Sequence, residues 1–487
     1  MSKKKIFVGI DVGTQGIRMT WVDDKGNEYF SAGKTFNLSK ESRIKQDPEI
    51  WWNDLDKLFK EAYKELGSSF FDDFEIESMG VTSTSGTVIP LDKNNEVIYG
   101  AIMYSDPRSQ EHSKIVSNSA RQYYGDLPRF THFNSSCGLS KMLWFKDNFK
   151  DEYKTKLSRF IHASDFITGK MTGVFHVTDH SNALKSGYDL HQEEWPDYIT
   201  GELELSSSFF PEVKPIGTVL GVLNTEWIDK WKLPNRPKVC VGLTDGCASQ
   251  IAAGAVEPGD WNTTIGTTLV LKGVTINEIY DKAGSIYCHK HPQGYWMPGG
   301  ASNIGADWVH DFTKEEIEEG SKFESAVTPS SAIYYPLKVK GERFPFISSD
   351  AEGGVFKEAK NRGGLFQAGL EGVAYIERYA YEKIERISGN KVEKIYSAGG
   401  GNKNEKWLQI RANVLNKVIL KSEKASGAMG AAIVAASHTY EKGITEAAKS
   451  LLGEMEAVFP DTELVEKFED NYQEFIDLLK EKGYINE

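Results

Sequence analysis

The sequence predicts two α/β domains of similar size, residues 1–243 and 244–487, and three observations lead there. The chain has 487 residues, more than the roughly 250–300 at which single hydrophobic cores stop growing. A strand, a short Gly/Thr turn and a returning strand occur at Gly9 to Arg18 and again at Asn262 to Leu271. Helical patterns occur in both halves, and the second half restarts the architecture of the first without repeating its sequence.

Each element has its own signal. IFVGIDVGTQGIRMTWVDD reads as strand Ile6 to Asp11, a turn through Gly13 and Gly16, and strand Ile17 to Asp23. In QDPEIWWNDLDKLFKEAYKEL, Asp47 caps a helix and Pro48 suits its first turn. Trp51, Leu55, Leu58 and Ala62 then recur at helical spacing. Ile76 to Pro90 reads as a further strand. KVCVGLTDGCASQIAAGAV gives a strand, a loop at Thr244 to Gly246 and a helix of small residues, and a second hairpin pivots on Gly266. KIYSAGGGNKNEKWLQIRANVL gives a strand, a turn at Gly399 to Gly401 and a helix. Gly427 to Ala436 is a helix so rich in small residues that another backbone element must approach it closely. From about Thr462 the charged pattern predicts a solvated tail helix.

Composition narrows the function classes. With 40% hydrophobic and 26% charged residues the chain matches an ordinary globular protein. Its net charge of −13 opposes nucleic-acid binding, which rests on concentrated Lys and Arg. Four cysteines without a C-x-x-C pair give no disulfide framework, and Cys288 with His289 and His291 lacks the second ligand pair of a zinc site. The apolar run after Lys5 is too short for a signal peptide, and no run approaches a membrane span. The expectation is a cytoplasmic protein without membrane or nucleic-acid partners, acting on a small molecule, and a homodimer by the general frequency of dimers.

The chemistry-bearing residues suit phosphoryl transfer. Glycine-rich hairpin tips present successive N–H groups to phosphates, and Gly13, Thr14, Gln15 and Gly16 form one such tip, Gly266, Thr267 and Thr268 another. Asp11, ahead of the first tip, can hold a hydrated magnesium ion, and Arg18 on the returning strand can reach phosphate oxygens. An ordinary turn and a surface ion pair are the alternatives. Asp245 follows an apolar strand in an exposing loop, where a carboxylate serves either as a base for an alcohol proton or as a helix cap. Gly33-Lys34-Thr35 is no P-loop, because Glu28 stands where that motif needs glycine, and Asn404 breaks the dinucleotide spacing begun at Gly399.

The ordered set GIDVGT at Gly9, QDPEIWW at Gln46, SDPR at Ser105, KMLW at Lys141, TDHSNA at Thr178, GLTDG at Gly242, TIGTT at Thr264, GERFP at Gly341 and GGGNKNEKW at Gly399 resembles the FGGY family of carbohydrate kinases. The resemblance runs from about Ile6 to Ala436. It implies two actin-like, ribonuclease H-like domains around an interdomain cleft, in the superfamily of sugar kinases, actin and heat-shock chaperones. It also implies ATP and magnesium as cofactors and a sugar as substrate. By the same likeness Asp245 is the catalytic base and Asp11 the carboxylate near magnesium. Gly13, Thr14, Gln15 and Arg18 belong to the first phosphate loop, Gly266, Thr267 and Thr268 to the second, and Gly400, Gly401 and Asn404 to the adenosine site.

Ser83-Thr84-Ser85-Gly86 stands where D-xylulose kinases carry Q-M-H-G, so no histidine is available there for a ketose. Tyr104 replaces a usual tryptophan, and Gly138 a usual Pro, Ser or Thr. TSTSGTVIPLD, TTLVLKG and CHKHPQGYWMPGGASNIG resemble instead the subgroup assigned to D-ribulose. Thr84, Ser85, Asp106 and Trp308, with Asp245, are the expected sugar contacts; the alternatives are an Asp106–Arg108 pair and a core role for Trp308. The expected activity is ATP-dependent phosphorylation of a ketopentose, D-ribulose before D-xylulose or another polyol. A nucleotide-driven binding module of the same fold is the competing class.

Overall fold

The computed structural model describes residues 3–323 and 328–485. The chain divides into two compact units. The first comprises residues 1–252, 289–294 and 426–453, and the second residues 253–288, 295–425 and 454–487. The division expected after residue 243 thus falls inside the first unit, because the strand and helix around Asp245 extend the first sheet's chain path.

The first unit is built on strands β1 (Lys4–Val12), β2 (Gly16–Asp23), β3 (Glu28–Thr35), β4 (Phe74–Ser83), β5 (Val219–Val222), β6 (Lys238–Cys240) and β7 (Leu243–Thr244). The order is β5-β6-β4-β1-β2-β3, with β7 also beside β4. β1, β2 and β3 form an antiparallel meander, and β4 lies parallel to β1. β4 ends at Ser83, short of the extended run expected to Pro90. Thr84 to Gly86 turns the chain, and Gly86 holds a left-handed φ of 80° that favours glycine.

Helix α1 (Pro48–Leu66) begins as its sequence predicts: the Asp47 carboxylate accepts from the Glu49 N–H at 3.0 Å, with Pro48 in the first turn. It buries Trp51, Leu55, Leu58 and Ala62. These join Trp21, Phe59, Ile76 and Phe166 in one apolar core. Helices α2 (Gly138–Asn148), α3 (Ala163–Thr172), α4 (His180–Leu184) and α5 (Asp245–Ala253) follow, with α3 packed on β4 and α4 on β7.

The second unit's sheet takes strands β8 (Trp261–Ile265), β9 (Leu269–Gly273), β10 (Trp296–Ala301), β11 (Lys394–Ala398), β12 (Val418–Lys421) and β13 (Glu456–Val458) in the order β10-β9-β8-β11-β12-β13. The hairpin of β8 and β9 and its parallel neighbour β11 repeat the β1, β2, β4 arrangement of the first unit. Its long helix α6 (Arg362–Ser388) and helix α7 (Glu405–Leu415) are joined by a buried ion pair, Arg411 Nε donating to Glu377 at 2.7 Å and Nη2 at 2.8 Å.

Helix α8 (Gly427–Thr439) belongs to the first unit and has ten consecutive buried residues, Ala428 to Ser437. It lies on β1 and β4 so closely that a Cβ on Gly9 would stand 1.7 Å from the Ala428 carbonyl oxygen, and one on Gly80 2.2 Å from that of Ala431. That is the close approach its small residues predict. Helix α9 (Thr462–Glu481) differs from expectation. It buries Leu464, Phe468, Tyr472 and Phe475, and Phe475 packs on Tyr335 and Tyr375, so it is a packed amphipathic helix of the second unit.

Candidate active site

In the first unit, β1 delivers Asp11 to the lip of a tight hairpin. The Gly13 N–H donates to the Gly16 carbonyl at 2.9 Å, and the outward carbonyls of the tip are braced: Gln46 Nε2 donates to Thr14 O at 3.0 Å and the Phe36 N–H to Gln15 O at 2.8 Å. Trp51 Nε1 in turn donates to Gln46 Oε1 at 2.8 Å. With those carbonyls occupied, the tip is held by its back. Among the described residues neither the Thr14 nor the Gln15 N–H has a partner, which suits an anion.

Asp11 is 8% exposed. Burial first and the neighbouring charge of Asp245 second raise its carboxyl, Arg18, 3.6 Å away through Nη1, opposes them, and the balance lies at about 6. Gly427, the first residue of α8, leaves room for it, since a Cβ there would lie 2.8 Å from the carboxyl carbon. The helix N-terminus at this point favours the charged form of a carboxylate.

Asp245 opens α5 and is exposed, with the Gly246 N–H donating to its Oδ1 at 2.7 Å. The Asp245 and Asp11 carboxylates therefore share one electrostatic neighbourhood in the first unit. Thr84 is 6% exposed, and its hydroxyl pairs with that of Thr87 at 3.0 Å. The Ser85 and Thr244 hydroxyl oxygens are buried without a partner among the described residues. These unsatisfied groups near the β4 and β7 ends carry a desolvation cost.

Two expected sugar contacts are not available. Asp106 is 1% exposed and both its oxygens are held by Arg108, Nε donating at 2.9 and 3.0 Å and Nη2 at 2.6 Å. Trp308 has no exposed surface. Its indole N–H donates to Gly305 O at 2.8 Å and its ring packs against Phe312, Tyr334 and Phe366, so it is core of the second unit and not a sugar contact.

The second unit carries the other expected phosphate residues. Gly266 N donates to Thr268 O at 3.0 Å at the β8–β9 tip, and the Thr267 and Thr268 N–H groups have no partner among the described residues. A Cβ on Gly266 or Gly400 would meet nothing within 4 Å, so both lie beside open space. Gly401 is buried against Ile265. The Asn404 carboxamide caps α7, its Oδ1 accepting from the Trp407 N–H at 3.0 Å while Nδ2 donates to Ser321 Oγ at 2.9 Å.

Sequence reasoning gave Lys141 no role, yet it is fully buried. Its Nζ donates to Ser135 O and, at 3.5 Å, to Tyr104 O, and burial lowers its ammonium to about 7. The signal was its position inside the apolar run of KMLW. Gln46 was likewise quoted only as part of a motif.

Residues 6–252 match the N-terminal domain of the FGGY family of carbohydrate kinases, and residues 262–439 match its C-terminal domain. The chain belongs to that family. This kinase is 27% identical to a xylulose kinase of Bacillus subtilis (strain 168) over 98% of its own length and 96% of the relative's. It is 21% identical to a gluconokinase of Bacillus licheniformis, over 97% and 95%. A solved xyloylose kinase from Brucella ovis superposes with TM-score 0.86 at 21% identity, covering 99% of this kinase and 100% of that chain. A glycerol kinase from Plasmodium falciparum with ADP superposes with TM-score 0.81 at 20% identity, covering 98% of each. The fold of the kinase is thus the actin-like pair of α/β domains expected from its motifs. Among the described residues no helix is long and apolar enough to cross a membrane.

Proposed function

We propose that this carbohydrate kinase transfers the γ-phosphoryl group of ATP to the terminal hydroxyl of a ketopentose, with Asp245 as the base. The observation that carries the reading is the exposed Asp245 carboxylate at the start of α5, in the electrostatic neighbourhood of buried Asp11. An exposed carboxylate accepts a proton from an alcohol as the phosphoryl group departs from its donor. Asp11, at about 6, is ionised at neutral pH and available to a cation.

Among the described residues no three His, Cys, Asp or Glu side chains gather as a metal site. A lone carboxylate fits magnesium, which keeps several waters and binds largely through substrate phosphates. Asp11 would hold it, and the ion would supply charge neutralisation across those phosphates. In the first unit the Thr14 and Gln15 amides, with Arg18, are offered to phosphate oxygens; in the second, Thr267, Thr268, Gly400 and Gly401 are offered to a nucleotide.

D-ribulose is the sugar we assign first, since the Thr84–Ser85 loop offers hydroxyls and no histidine. D-xylulose is the second reading, supported by the names of the curated relatives. Coupled ADP release with magnesium and ATP against D-ribulose, D-xylulose, L-ribulose, L-xylulose, glycerol, gluconate and ribitol decides between them through the ratio of kcat/KM. In the Asp245→Asn variant, sugar affinity near that of the wild type with kcat reduced at least about 1,000-fold is expected of a lost base acting with its neighbours. Retained turnover would remove Asp245 from the mechanism.

A further inference from the structure

Next to Asp245, through Thr244, runs a fully buried chain of polar side chains. Asp179 caps α4, accepting from the N–H groups of Ser181 at 2.7 Å and Asn182 at 3.0 Å. The Ser181 hydroxyl also donates to Asp179 Oδ1, and Asn182 Nδ2 donates to Oδ2 at 2.6 Å. From this hub two arms leave. On one, Ser181 Oγ accepts the Thr244 N–H at 2.9 Å. On the other, Asn182 Nδ2 donates to Ser164 Oγ at 3.1 Å, and the Ser164 N–H donates to Ser83 Oγ at 2.9 Å. Ser83 and Thr244 are themselves paired residues on the parallel strands β4 and β7, and both strands end there.

The residues that follow those two strand ends are Thr84 and Asp245. We infer that Ser181 is a positioning residue: anchored by Asp179, it fixes the backbone at Thr244 so that Asp245 leaves β7 at a set angle to the Thr84 loop. The direction of its bonds is determined. Thr244 N can only donate, so Ser181 Oγ must accept there and direct its own proton to Asp179. Every one of these six side chains is at most 1% exposed, so water cannot substitute for a lost partner. The role rests on the reading of Asp245 as the base.

The test compares Ser181→Ala, Ser181→Thr, Asp245→Asn and the Ala/Asn double variant of the full chain, by phosphoryl transfer from radiolabelled ATP, sugar binding by calorimetry and thermal melting. Ser181→Ala should lower kcat roughly 10- to 100-fold through displacement of the base, with the sugar dissociation constant within about threefold of wild type. Ser181→Thr, which keeps the hydroxyl, should recover most of the rate. In the Asp245→Asn background Ser181→Ala should cost nothing more, since the group it positions is gone. Wild-type kcat in Ser181→Ala, or the same fractional loss with and without Asp245, would overturn the inference while leaving the base intact. Turnover retained in Asp245→Asn would instead remove the reading beneath it. If Ser181→Ala does not fold, Ser83→Ala at the far arm carries the same test: a kcat loss with unchanged sugar binding is expected, and an unchanged kcat overturns the clamp.

Discussion

Replacing Asp11 by Asn should make the folded chain more stable and catalytically inert at once. The carboxyl rises from an ordinary 3.8 to about 6, first through burial and then through the charge of Asp245, with Arg18 opposing. A carboxyl with a raised folded pKa binds its proton more tightly in the native state, so the native state is disfavoured once the proton leaves. The cost is absent well below pH 3.8, grows as pH rises, and is complete above about 6. At pH 7.5 the displacement corresponds to about 3 kcal/mol, and at pH 5 to roughly half of that. Asn is nearly isosteric and cannot ionise, so the variant should gain stability up to that amount. Urea unfolding from pH 5 to 8, in buffer free of magnesium and nucleotide and followed through the first-unit tryptophans, measures the gain. Equal stability of the two proteins at pH 7.5, or a difference independent of pH, would refute the reasoning. Loss of phosphoryl transfer in the same variant would show that an unfavourable buried charge is maintained for function.

Gly400→Val should leave melting unchanged, because the added side chain meets open space, yet raise the KM for ATP on the order of tenfold if the site receives the nucleotide; coupled kinetics and differential scanning fluorimetry separate the two. Trp308→Phe should cost about 1–3 kcal/mol of stability and leave the sugar KM untouched, since the ring is core. Gly80→Ala would put a Cβ 2.2 Å from a backbone oxygen of α8 and should cost at least about 3 kcal/mol, read as lost soluble expression or a lowered melting temperature.

What the sequence made legible was local. The Asp47–Pro48 start of α1, the two glycine hairpin tips and the small-residue helix each follow from a few neighbouring residues, and the structure has them where the pattern puts them. The exposure of Asp245 follows from its place at a strand end, whereas the burial of Asp11, where the pattern allowed a surface ion pair, depends on α8 arriving from more than 400 residues away. Trp308 misled because an aromatic ring near a polar, glycine-rich stretch serves a ligand pocket and an apolar core equally well in one dimension. The division after residue 243 failed for a related reason: nothing in residues 426–453 reveals that they return to β1 and β4. The Ser181 clamp was out of reach because its bonds join residues 63 and 81 positions apart, and hydrogen-bond partners at that range leave no periodic trace.

The return of α8 to the first unit has a consequence for synthesis. As the ribosome makes this chain, β1 and β4 appear early, but the helix that seals their glycine-floored face emerges only after about residue 439. The nascent first unit must wait with that apolar surface uncovered while the whole second sheet except β13 is translated, a period in which it is open to chaperones and to aggregation. A fragment ending at residue 252 would keep that surface permanently open. The carboxylate at 11 also gains its helix N-terminus only at that stage, so the first-unit site is complete only once residues 427–439 have been made.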